Sequence, residues 1–380
     1  MRISFKIQAT KMKRRYQIIG MVSMLLATLS LKAQEYASTV QLDHPDSWSM
    51  VLVPDVQNYA KYYQNQPILD IMNQWISGNV EQLNIKMVLC VGDLVEQDQV
   101  ILPGHDGNVP SKEQWEFVSK SFGILNHKVP YILATGNHDY TIDRAGNRTS
   151  NYDDYFTINQ NVLNRKHLVQ YGWDATNKPT LSNAMYEFKD LHGQDFLVLN
   201  LEYAPSNQSI DWANAILKFE EYQNHNVILL THAYLNRTNE RLDGDNKWVI
   251  FEPYIKEQKQ VKSARIVLPN SNNGEQLWNK LVYPNKQISW VLSGHISGTG
   301  YRSDQNEAGR TVHQMLFDMQ SEGGGHYGNG GDGLVRILEF YPDGKTVKVK
   351  TFSPLFALSP KTAALAYKTD IENEYIIRLD

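Results

Sequence analysis

Five short segments of this 380-residue chain each set a metal-competent side chain just beyond an apolar run. They are Val53-Pro54-Asp55-Val56-Gln57, Val91-Gly92-Asp93, Thr135-Gly136-Asn137-His138-Asp139, Leu230-Thr231-His232 and Leu292-Ser293-Gly294-His295. Carboxylate, amide oxygen and imidazole together suit borderline divalent ions such as Zn, Fe or Mn. A bound ion of this kind can activate a water for attack and polarise a substrate oxygen, with no Ser or Cys nucleophile required. Glycine before the ligand lets the backbone approach without a Cβ in the way. One Gly-Asp or Gly-His alone is ordinarily a turn. Five in this order, each leaving an apolar run, point to a centre.

The runs that must position these residues alternate between strand and helix patterns. Ser49 to Pro54 reads as a strand and Pro67 to Leu83 as a helix, with Ile68, Ile71, Met72, Trp75 and Ile76 at helical spacing. Ile85 to Val91 is a strand buried on both faces by its unbroken hydrophobicity. Glu113–Leu125 reads as a helix and Pro130–Ala134 as a third strand, followed by a polar, loop-rich stretch from Tyr140 to Thr180. Strands at Ala184–Phe188 and Asp195–Leu201, a helix near Ile210–Tyr222, and strands at Val227–Leu230 and Gln287–Leu292 come next. The end turns to strands at Thr311–Phe317, Leu334–Tyr341 and Thr346–Thr351, the last two joined by the hairpin signal Pro342-Asp343-Gly344. Alternating α/β with a β-rich end predicts stacked sheets with helices outside. Trp48, Trp75, Trp115 and Trp212 fall within these elements and read as core.

In order and spacing, the five segments resemble the calcineurin-like metallophosphoesterase signature: D-x-H, G-D, G-N-H-[DE], H, then G-H-x-H. The match runs through most of the chain in order, and Gly136-Asn137-His138-Asp139 is its most specific part. The resemblance implies a two-sheet β-sandwich flanked by helices, with two metal ions at the sheet edge. By position, Asp93 bridges the ions, Asn137, His232 and His295 complete one site, and Asp55 with Gln57 belongs to the other. His138 then serves as general acid or stabilises the leaving oxygen, and Asp139 orients its imidazole.

Two departures fall on one metal site: Gln57 stands where the pattern has a histidine, and Ser297 stands at the end of Gly294-His295-Ile296-Ser297. Losing two imidazoles predicts a weaker Asp55/Gln57 site, or one selective for a harder ion such as Mn or Mg. The phrases around Asp55, Asp93 and His232, with Val312-His313-Gln314-Met315-Leu316 and the Gly-rich run before Leu334, are similar to a secreted bacterial branch of the family. In that branch D-x-Q and G-H-x-S are the normal forms. The expected activity is hydrolysis of phosphoesters, monoester or diester, by a hydroxide generated at the ions. Two rivals stay open: a non-catalytic relative that keeps a metal to bind a glycan or protein partner, and a hydrolase with one functional ion.

Three further residues have a functional and a structural reading. Arg302 holds a substrate oxygen or a surface salt bridge. His313 compensates for the imidazole missing near Ser297 or is a hydrogen-bonded strand residue. His326, within Gly323-Gly324-Gly325-His326-Tyr327-Gly328-Asn329-Gly330-Gly331, contacts a phosphate or sits in a mobile loop. His105 and Asp106, in a Pro/Gly loop, read as a solvated turn, with a loop that reaches the substrate as the alternative.

Composition bounds the partners. Lys11, Lys13, Arg14 and Arg15 precede the apolar run Ile18–Leu31 and small Ala33, the pattern of a signal peptide over residues 1–33, with Met12 an alternative start. A single domain is expected over 34–380, exported to the periplasm or beyond, with no stable membrane insertion after cleavage. Residues 1–33 hold seven basic and no acidic residues; without them 30 basic residues face 41 acidic ones, and the net charge falls from −4 to −11. Such a surface is unsuited to tracking nucleic-acid backbones. The single cysteine, Cys90, excludes an internal disulfide and reads as a buried strand residue.

Overall fold

Unbroken apolar runs such as Met50–Val53 and Met87–Cys90 can be satisfied only between two layers, and both are wholly buried. The computed structural model describes residues 40–99, 107–142, 147–174, 176–243, 268 and 270–380. The expected signal peptide over 1–33, His105 and Asp106 lie outside the described residues.

Strands β1 (Trp48–Val53), β2 (Ile85–Cys90) and β3 (Tyr131–Leu133) run parallel, side by side. A small ribbon follows, β4 (Thr141–Ile142) with β5 (Arg148–Thr149). The chain then builds a second sheet from β6 (Leu168–Trp173), β7 (Pro179–Leu191), β8 (Gln194–Asn200) and β9 (Asn226–Leu230). That sheet is completed by β10 (Ile288–Ser293), β11 (Gly298–Gln305) and β12 (Thr311–Asp318), in the order β11-β12-β10-β9-β8-β7-β6. Finally β13 (Val335–Phe340), β14 (Thr346–Phe352), β15 (Tyr367–Lys368) and β16 (Tyr375–Arg378) return to the first sheet. Its order is β15-β14-β13-β1-β2-β3, with β16 beside β14.

Period-two alternation sorts the side chains into layers. Trp48, Met50 and Leu52 of β1 pack with Phe196, Trp290 and Phe317 between the sheets. Val51 and Val53 point the other way, onto Met72, Trp75, Trp115 and Phe122 of the helices Gln66–Asn79 and Ser111–Phe122. On the far side, Leu197, Leu199, Val227 and Leu229 meet Ile210 of the helix Asn207–Leu217 and Leu277 and Leu281 of a turn of helix at 274–282. The result is the expected sandwich with helices on both outer faces. Each large apolar side chain buried this way contributes roughly 1.5–3 kcal/mol.

The stretch from Tyr140 to Thr180, expected to be loops, holds the β4–β5 ribbon, two short helices and the edge strand β6. Edge strand β11 and the helical turn at 274–282 were likewise not expected. Cys90 is buried, its thiol bonded to the Pro54 carbonyl. What positions the site is the direction of the strands. β1, β2 and β3 in one sheet, and β8, β9, β10 and β12 in the other, are parallel sets whose carboxyl ends meet at one edge of the sandwich. Ligands collect at such ends.

Candidate metal centre

Each ligand candidate lies two to four residues past a strand end, on a turn that other turns hold in place. The Val56 N–H donates to the Asp93 carbonyl at 3.1 Å and the Gly294 N–H to the His232 carbonyl at 2.9 Å. Gly92 (φ 113°), Asp93 (φ 49°) and His295 (φ 73°) adopt the left-handed region. For Asp93 and His295 that conformation is strained, a strain characteristic of ligand clamps.

The tightest cluster joins the sheets. Ligand atoms of Asp93, His232 and His295 lie within 4.8 Å of one another. His232 donates from Nδ1 to the Val91 carbonyl at 2.8 Å, so its Nε2 faces Asp93 Oδ1 at 3.3 Å and Asn137 Oδ1 at 3.1 Å. A backbone acceptor on one imidazole nitrogen is the usual device for presenting the other to an ion. Burial and the neighbouring His232 depress His295 to a pKa of about 3, which keeps its imidazole neutral. Burial alone would raise Asp93, but the surrounding imidazoles win and hold it well below the usual carboxylate range.

A second group of oxygens lies alongside. Asp55 is fully buried; its Oδ2 accepts the His295 N–H at 3.0 Å, while its Oδ1 has no partner. Gln57 donates from Nε2 to Asp93 Oδ2 and to Gln320 Oε1, both at 3.1 Å, leaving its own buried Oε1 unsatisfied. Burial and the carboxylates of Asp318 and Asp93 push the Asp55 pKa well up. Buried acceptors without donors, facing mutually repelling carboxylates, are what a cation would satisfy. The residues at both positions therefore fit divalent ions: mixed nitrogen and oxygen donors around His232 and His295, oxygen donors around Asp55 and Gln57.

His138 lies beside this centre, its backbone N–H on Asp93 Oδ1 at 3.0 Å and its Nδ1 on the Glu96 carbonyl at 2.7 Å. Because a carbonyl can only accept, Nδ1 carries a proton. Burial opposes charging this ring, but Asp93 and Glu96 outweigh it and raise the pKa. The expectation that Asp139 orients this imidazole is corrected. Its carboxylate instead accepts the N–H groups of Leu94, Val95 and Gly136 at 2.8, 3.0 and 2.7 Å, tying the second ligand turn to the third. The imidazole is held by a backbone carbonyl.

His326 approaches from the Gly-rich loop, with its Nε2 3.5 Å from Glu96 Oε1 and 2.8 Å from the buried Lys61 ammonium. Lys61 itself pairs with Glu96 at 3.3 Å, a buried pair that sequence inspection missed. Arg302 grips Asp304 with Nε and Nη2 at 2.7 and 2.9 Å and donates to the Asn239 carbonyl. It lines, with His295, Asn236, Arg241 and Glu275, a cavity of about 610 Å3. His313 does not reach the centre. It lies five residues before Asp318 on β12, about 16 Å away on an extended strand, bonded to the Tyr301 hydroxyl at 2.8 Å. Compensation by His313 for the imidazole missing at Ser297 is thereby corrected.

Asp318 and Gln320 were missed and belong here. Asp318 is fully buried at the end of β12, its Oδ2 accepting from Ser297 Oγ at 3.3 Å and from Gln320 Nε2 at 2.8 Å. Burial and the nearby Asp93 raise its pKa to about 6. The signal was short: Met315-Leu316-Phe317 is an apolar run of three residues that ends in a carboxylate.

A family model for calcineurin-like phosphoesterases matches residues 51–297. The uncharacterized protein YvnB of Bacillus subtilis (strain 168) is 28% identical over 319 residues, covering 81% of this chain and 20% of that protein. The chain thus spans about a fifth of that relative's length. Among solved structures, GAP50, the anchor in the inner membrane complex of Plasmodium, aligns over 88% of this chain and 89% of its own at 10% identity, with a TM-score of 0.43.

Proposed function

The chain belongs to the calcineurin-like phosphoesterase family, and from that premise we propose that it is an exported, metal-dependent phosphoester hydrolase with a dinuclear site. One observation carries the reading: ligand atoms of Asp93, His232 and His295 lie within 4.8 Å of one another with Asn137 Oδ1 against His232 Nε2, and His138 is held beside them by its N–H on Asp93. Export is inferred from the basic and apolar pattern at residues 1–33.

Divalent ions supply a water activated for attack at neutral pH and positive charge against the phosphoryl oxygens. The chain's own residues do the rest. Asp93 would be shared between the two positions, where its carboxylate would offset the repulsion of like charges. Asn137, His232 and His295 would hold one ion, and Asp55 and Gln57 would belong to the other. Gln57 would contribute its unsatisfied amide oxygen. The Glu96 carbonyl fixes the His138 ring, which delivers a proton to the departing alkoxide. His326, half exposed at the Glu96 side, and Arg302, on the cavity wall beside His295, flank the space a phosphorylated substrate would fill.

The test is hydrolysis of p-nitrophenyl phosphate and bis-p-nitrophenyl phosphate by metal-stripped protein refilled separately with Zn, Mn, Mg and Fe. Turnover restored by metal establishes the hydrolase, and the preferred substrate separates monoester from diester activity. Tight binding of one ion with no turnover under any metal would favour a binding protein, a reading that the Gln57 amide N–H groups facing Asp93 also suit.

A further inference from the structure

Both departures from the family pattern converge on one pair of residues outside it. Gln57 donates to Gln320 Oε1 at 3.1 Å, and Ser297 donates to Asp318 Oδ2 at 3.3 Å. Gln320 in turn holds Asp318 with its backbone N–H at 2.9 Å and its side-chain amide at 2.8 Å. Asp318 and Gln320 leave β12 beyond residue 297, where the family match ends. The two positions that lack imidazole are therefore linked through a carboxylate and an amide from a separate strand. Random loss would not arrange this.

The oxygens around Asp55 need a cation more than they need each other. Asp55 and Asp318 are both fully buried, and no Lys or Arg among the described residues forms an ion pair with either. Asp55 Oδ1, Gln57 Oε1 and Asn58 Oδ1 are buried acceptors without donors. Unpaired buried carboxylates are unfavourable by several kcal/mol in order of magnitude, and a divalent ion with a preference for oxygen removes that penalty. We propose that Asp318 is a ligand of the second ion in place of the absent imidazoles. Asp55, Gln57, Asp93 and Asp318 then make an all-oxygen position for a hard cation such as Mn2+ or Mg2+, and Gln320 is the residue that positions the Asp318 carboxylate. This rests on the dinuclear reading above and adds a ligand and a metal preference to it.

The test is binding, read independently of turnover. Mn2+ is titrated into the metal-stripped full chain, and bound ions are counted by equilibrium dialysis and electron paramagnetic resonance. The wild type should take up two ions. Asp318→Asn should retain one at unchanged affinity and weaken the other by at least about tenfold, the scale on which ligand-shell changes act. His232→Ala should spare the ion that Asp318→Asn loses. Two ions bound by Asp318→Asn with wild-type affinities would overturn the assignment while leaving the dinuclear reading intact. A wild type that never exceeds one ion would overturn the dinuclear reading itself. If Asp318→Asn does not fold, Ser297→His decides: an imidazole placed against Asp318 should raise Zn2+ affinity at the second position by at least about tenfold. No change in Zn2+ binding there would mean that no ion sits beside Asp318.

Discussion

His138 and Asp139 are neighbours in sequence with separate tasks. The His138 ring is fixed by the Glu96 carbonyl, whereas the Asp139 carboxylate closes three backbone N–H groups. His138→Ala should therefore lower kcat by about 10²–10⁴-fold, the usual range for a lost proton donor, with bound metal unchanged by elemental analysis. Asp139→Ala leaves buried N–H donors without an acceptor and should destabilise the chain by roughly 2–4 kcal/mol in urea unfolding. If Asp139→Ala instead lost turnover at full stability and full metal content, a direct role in the chemistry would replace the structural one. Ligand types were legible because each follows a glycine or strand end within its own segment. Partners across the fold were not. Nothing near Asp139 in sequence indicates that Leu94 and Val95 are its donors, and nothing near Ser297 indicates Asp318.

At the scale of elements, the strand ends work because glycine keeps them thin. A Cβ on Gly294 would lie 2.1 Å from Asp55 Oδ1, and one on Gly136 would lie 2.1 Å from Asp93 Oδ1. Neither carboxylate can stay in place against such a contact. Gly294→Ala should weaken the ion held by Asp55 by at least about tenfold while the His232/His295 ion is spared. Gly136→Ala should weaken both, since Asp93 is shared. Calorimetric titration of each variant separates the two patterns; equal losses in Gly294→Ala would mean that Asp55 serves both ions. The strands that carry ligands were readable because parallel strands buried on both faces must be continuously apolar. β11 was not: Gly298-Thr299-Gly300-Tyr301-Arg302-Ser303-Asp304-Gln305 is an edge strand with partly exposed residues and no apolar alternation. β6 is the opposite edge and equally exposed. Edges escape the pattern because only one neighbour constrains them.

For the whole molecule, the sandwich brings seven strand ends and their carboxylates to one rim, and the fold must tolerate that charge when no ion is bound. The layer order was legible from the alternation of strand and helix patterns, since apolar strands flanked by amphipathic helices have few other ways to bury themselves. The energetic consequence of the rim was not legible, because it depends on which carboxylates meet. Asp318 is raised from 3.8 to about 6, and Asp55 well above 3.8, by burial and by their acidic neighbours. A group whose folded pKa lies above its unfolded one stabilises the fold fully below the unfolded value. That contribution is lost as pH rises through the folded value. The metal-free chain should therefore lose stability between about pH 4 and pH 7, by up to about 1.4 kcal/mol per pH unit for each proton released. Bound cations reverse this, since they favour the ionised carboxylates; at a hundredfold excess over Kd each ion adds about 2.7 kcal/mol. Thermal unfolding of stripped and Mn2+-loaded protein at pH 5 and pH 7.5 tests both signs together. The gap between the two melting temperatures should be small at pH 5 and wide at pH 7.5. A gap that does not widen with pH would mean that Asp55 and Asp318 are not the groups the ions relieve.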